Sequence, residues 1–86
     1  MPKATAIVLI QTEIGAESRV LEELYKIPEV SEAYIVYGTY DVVVKIESDS
    51  LEKIREIVTN KVRKLPDIRT TITMIVVEER IKAKSS

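Results

Sequence analysis

Apolar residues recur along this chain in two rhythms, and each change of rhythm marks an element. From Ala4 to Thr12 nearly every position is apolar. Ile7 and Leu9 point one way and Ala6, Val8 and Ile10 the other, which predicts a strand greasy on both faces. Glu13-Ile14-Gly15 interrupts as a turn or helix lead-in. From Ala16 to about Ile27 the spacing lengthens. Ala16, Val20, Leu21, Leu24 and Ile27 form one stripe, with Glu17, Glu22 and Glu23 on or near the other side, as in an amphipathic helix. Pro28 ends it, because proline disfavours the α conformation in the residue before it. The stretch Tyr34 to Ile46 is extended again: two β-branched runs hinged at Gly38, with Tyr34, Tyr37, Tyr40 and Asp41 crowding the hinge. It reads as a hairpin. Val42, Val43 and Val44 are consecutive rather than alternating, which predicts a strand covered on both faces.

Glu47-Ser48-Asp49-Ser50 is polar and turn-like, and Asp49 or Ser50 is placed to cap a second helix. Lys53, three positions beyond Ser50, denies it a full capping box. That helix carries Leu51, Ile54, Ile57, Val58, Val62 and Leu65 on one stripe and ends at Pro66. The last strand runs from Ile68 to about Val77, with Ile72, Met74 and Val76 on one face and Arg69, Thr71, Thr73, Ile75 and Val77 on the other. Leu24 to Val30 repeats in pattern at Val62 to Ile68: helix end, proline, acid, then a β-branched residue opening a strand. The order is therefore βαβ twice, an α+β ferredoxin-like βαββαβ domain with a four-stranded antiparallel sheet and two helices on one face. Residues 1–80 are taken as this domain and 81–86 as a charged tail. Two helices leave one apolar sheet face bare, larger than soluble monomers normally expose, so the strands predict a two-fold dimer made sheet to sheet.

Composition removes whole classes of chemistry. The 86 residues suffice for one domain, and 45% hydrophobic against 31% charged residues excludes disorder. With no cysteine and no histidine there is no disulfide, no thiolate, no soft-ligand metal site and no imidazole base, and no cofactor is expected. A formal net charge of −1 provides no field for nucleic acid or anionic lipid. Without a secretory h-region or a membrane-length apolar run, the chain reads as soluble and cytoplasmic. Neither paired carboxylates nor a glycine-rich phosphate loop appears, so it reads as no enzyme; a small cofactor-free enzyme on this fold rests on analogy alone. Lys61, Arg63, Lys64 and Arg69 gather on and after the second helix, but Glu52, Glu56 and Asp67 interrupt them, and a solvated face is the reading. Met74 reads as core or dimer filler. Asp41 leaves two readings open. It fixes the turn by accepting backbone N–H groups, or it receives the ammonium of a small zwitterion at a subunit junction, with Thr71 and Thr73 supplying hydroxyls.

The segment Val30 to Asp41 with Val42-Val43-Val44, and the closing Ile68 to Val76, resemble the effector-binding (RAM) domain of the Lrp/AsnC feast/famine transcription regulators; the resemblance covers about Ala4 to Glu78. The Gly-x-Tyr-Asp element, here Gly38-Thr39-Tyr40-Asp41, gains its specificity from the flanking βαββαβ order. The resemblance implies a homodimer through the sheets, dimers assembled into rings such as octamers, and an amino acid or related effector bound between dimers. It assigns Gly38 to the turn, Tyr40 and Asp41 to the cleft, and Thr71 and Thr73 to the ligand's polar groups. Bulky Tyr37, where many relatives carry a smaller residue, is expected to narrow the pocket. Full-length relatives begin with a helix-turn-helix domain, for which there is no room before Ala4. The expectation is thus a stand-alone module that does not bind DNA itself. It senses an amino acid, or it modulates a full-length regulator as an assembly partner without ligand.

Overall fold

The two rhythms resolve, in a computed structural model that describes residues 4–82, into seven segments. They are β1 (Ala4–Thr12), α1 (Glu17–Tyr25), β2 (Val30–Ile35), β3 (Val42–Ser48), α2 (Leu51–Ile57), a π-helical turn (Val58–Val62) that continues α2, and β4 (Ile68–Ile75). The four strands form one antiparallel sheet in the order β2-β3-β1-β4. α1 packs on β2 and β3, and α2 on β1 and β3, so the ferredoxin-like βαββαβ expectation holds. Residues 1–3 of the expected domain and 83–86 of the expected tail lie outside the described residues.

Register decides which side chains meet the helices. Ala6, Val8 and Ile10 of β1 stand opposite Ile46, Val44 and Val42 of β3, and all six are fully buried. Val20 and Leu24 of α1, Ile54 of α2 and Val62 of the π turn close over them with at most 2% exposure. Each such side chain contributes roughly 1.5–3 kcal/mol through burial. The odd residues of β1 and β3 face away. Leu9 pairs with Val43 and Ile72, and Ile7 with Lys45 and Met74; Tyr34 lies across from Val43. Tyr34, Ile72 and Met74 are 51%, 43% and 44% exposed. The valine run of β3 is thus covered by helices on one face only within a single chain. On the other face Lys45 is held by Glu47 (3.3 Å) and by Glu79 from the segment after β4 (3.1 Å). The hydrogen bond that Lys45 donates to Glu79 raises its pKa above the usual lysine value; desolvation opposes this, and the bond to Glu47 adds to the rise.

Element ends differ from the sequence expectation for local reasons. α1 stops at Tyr25 because its last turn tightens, Ile27 N–H donating to Leu24 O (3.0 Å) before Pro28. α2 is capped by Ser50, whose Oγ accepts the Lys53 N–H (3.1 Å). Its stripe is not continuous, since Leu51 is half exposed and the ladder widens to a π turn in which Arg63 N–H donates to Val58 O (2.8 Å). β4 ends at Ile75, although Val76 N–H still donates to Thr5 O (2.9 Å). The repeated Pro-acid turns are not equivalent. Asp67 takes a left-handed φ of 70°, its carbonyl accepting Glu13 N–H (2.8 Å) and its carboxylate pairing with Arg19 (3.0 Å). Among the described residues no helix is long and apolar enough to cross a membrane.

Candidate functional site

The β2–β3 connection carries the hinge residues, and hydrogen bonding fixes its mouth. Val36 N–H donates to Asp41 O (2.9 Å), and Asp41 N–H donates to Ile10 O (2.9 Å) on the neighbouring strand. Gly38 has φ 152°, a backbone region where an L side chain is strained although open space surrounds the Cα. The β1–β4 register slips between Gln11 and Thr12. At that slip the Asp41 carboxylate takes the Thr12 amide, Oδ2 accepting at 2.9 Å. Thr12 is a polar residue buried in the core, 5% exposed, so an unmet amide there is costly. The Asp41 carboxylate thus accepts a backbone N–H, but from Thr12 on the neighbouring strand β1 rather than from the turn itself.

Asp41 also lines a cleft of about 350 Å³ with Glu17, Ile35, Val36 and Tyr37. Two carboxylates beside the aliphatic Ile35 and Val36 suit a cationic group with a hydrocarbon body, and Tyr37, standing out at the rim, does not narrow the cleft within one chain. Gly38 is exposed, Tyr40 half-buried, and neither lines this cleft; Tyr37 projects fully into solvent.

Thr71 and Thr73 share one face of β4, as the alternation predicted, and lie opposite Ile10 and Val8 on the helix-covered side. They line a different cleft, of about 540 Å³, together with Val58, Arg63, Ile68, Arg69 and Thr70. β1 stands between Thr71 and the strand that follows Asp41, so two strand spacings, roughly 10 Å, separate the two groups. One chain thus brings Asp41 together with Glu17 and Thr71 with Thr73, but not the two pairs with each other. Sequence reasoning missed three contributors. Gln11 donates through Nε2 to Thr39 O (2.9 Å) and accepts from Thr70 Oγ1 (2.7 Å), tying the hinge to β4 across β1. Its signal was legible, an amide side chain closing an otherwise apolar run. Glu17 and Arg63 were read only as solvated helix decoration, because nothing local tells which cleft a helix-end charge overlooks.

Residues 5–85 match the family described as the Lrp/AsnC ligand binding domain. An uncharacterised HTH-type transcriptional regulator of Pyrococcus furiosus is 34% identical over 74 residues, 83% of this chain and 49% of that protein. The regulatory protein AsnC of Escherichia coli is 31% identical over 61 residues, 71% of this chain and 40% of its own length. The chain thus spans about half the length, or less, of these curated relatives. Among solved structures, a hypothetical protein from Pyrococcus horikoshii superposes with a TM-score of 0.82 at 47% identity, covering 88% of this chain and 92% of that one.

Proposed function

Because the chain belongs to the Lrp/AsnC ligand-binding domain family, we propose that it is an effector-sensing and oligomerisation module that binds a free amino acid where copies of it meet. The observation that carries this reading is the hinge cleft, where Asp41 and Glu17 offer carboxylates to an ammonium group beside Ile35 and Val36. Gly38 shapes the turn and Tyr40 flanks the acid. Thr71 and Thr73 supply hydroxyls from the other cleft, and since one chain holds them two strands away, a neighbouring copy presents them. The bare face with Leu9, Val43 and Ile72 pairs with its twin to make the homodimer, and dimers assemble further, into an octamer or another ring. Ligand acts by its differential affinity for alternative assemblies. Residues 1–80 form this module, which is cytoplasmic, catalyses no reaction and works with a full-length regulator.

Isothermal calorimetry with the twenty amino acids tests the sensing half. Heat is expected for at least one, and Asp41→Asn, which keeps an acceptor for Thr12 N–H, should abolish it. A silent panel from correctly assembled protein removes sensing and leaves the reading as an assembly partner without ligand. Heat that survives Asp41→Asn removes the acid from the site.

A further inference from the structure

The segment that follows β4 does not simply run on along the sheet. Val76 N–H donates to Thr5 O on β1 (2.9 Å), and the chain then bends at Val77. Two residues after the bend, the Glu79 carboxylate pairs with Lys45 Nζ on β3 (3.1 Å). β1 lies between β3 and β4, and Lys45 points away from the helices, so this pair spans β1 on the bare side of the sheet. One backbone bond and one ion pair therefore fix the segment at the margin of that face. Its apolar side chains are not used to cover the strands beneath. Val77 is 95% exposed and Ile81 is 74% exposed. Single exposed aliphatic residues are ordinary on a protein surface. These two, however, stand on a segment anchored to the one side that the helices leave apolar. A strap closed over its own sheet would turn them inward.

We propose that the segment after β4 is an arm that clasps a second copy of the chain, with Val77 and Ile81 buried against the twin when the two bare faces meet. The inference rests on the sheet-to-sheet pairing proposed above and adds to it a contact that the strands alone do not make. Reach allows it. Packed sheets lie roughly 10 Å apart, and five extended residues, the length from Val77 to Ile81, span up to about 17 Å. The opposite surface is apolar and accessible, Ile72 and Met74 being 43% and 44% exposed. Because the Glu79–Lys45 pair already positions the arm in the single chain, less conformational freedom is lost when the twin arrives. Two-fold symmetry makes the contact reciprocal, so every substitution in the arm acts twice.

The full chain is tested by isotope-filtered NMR on dimers mixed from labelled and unlabelled copies, and by sedimentation equilibrium. The Val77 and Ile81 methyl groups should show contacts to the other copy. Replacing both, Val77→Ser with Ile81→Ser, should raise the dimer dissociation constant about a hundredfold. Circular dichroism should not change, since neither side chain belongs to the core. Tyr25→Ser removes another exposed side chain, at the end of α1 on the helix side of the sheet, and should leave the constant as it is. Methyl contacts confined to one chain, or a double variant that pairs like wild type, overturn the proposal. Leu9→Glu separates it from the reading beneath it. Pairing that survives Leu9→Glu overturns both, whereas pairing lost in Leu9→Glu but kept in the double variant overturns the arm alone.

Discussion

At the scale of the residue, Asp41 binds the hinge to the sheet twice, through its own N–H and through Oδ2. Asp41→Ala should lower unfolding free energy by about 1–3 kcal/mol in urea denaturation, with Asp41→Asn close to wild type. A ligand-binding defect in the alanine variant alone would therefore confound two roles. The sequence made the acid conspicuous, set beside a glycine at the mouth of a buried strand. It could not reveal that Thr12 supplies the amide, because the slip at Gln11/Thr12 arises from how β4 meets β1, a pairing of residues 59 positions apart at Gln11 and Thr70. Lys45 offers a second test. Its pKa is raised in the folded chain, so its contribution to stability is complete below the ordinary value of 10.5 and drains away as pH climbs through the higher folded value. Alkaline titration of stability should show a steeper fall for wild type than for Lys45→Met, and parallel curves would remove the Glu79–Lys45 pair from the account.

At the scale of the element, the strands were the most legible part, since alternation in β1 and β4 fixed which residues share a face before any fold was known. The helices were legible in position but not in detail. Periodicity placed Ile54, Val58 and Val62 inward at four-residue spacing, and all three are buried. Nothing in that stripe announces the π turn of Val58–Val62. α2 is only seven residues long, so its ends carry much of its stability. Ser50→Ala removes the acceptor for Lys53 N–H and should cost about 1 kcal/mol, read by thermal or chemical denaturation. Ser50→Asp should recover it.

At the scale of the molecule, the sequence signalled a bare apolar face through its three consecutive valines, and the register identifies the residues that form it. Leu9 stands at the middle, between Val43 and Ile72. Leu9→Glu should convert an assembled protein to particles of single-chain mass, 9.8 kDa, in sedimentation velocity while leaving the helix-covered core and the circular dichroism intact. Unchanged sedimentation would place the joint elsewhere. The same face carries a consequence of the Lys45 cluster. Glu32 lies across from Lys45, and with Glu47 and Glu79 it sets three carboxylates against one ammonium, a net of two negative charges. Where a two-fold axis passes close to this patch, the joint sets it against its own image and like charges meet. Added salt screens such repulsion. Pairing through this face should accordingly tighten, not loosen, as ionic strength rises.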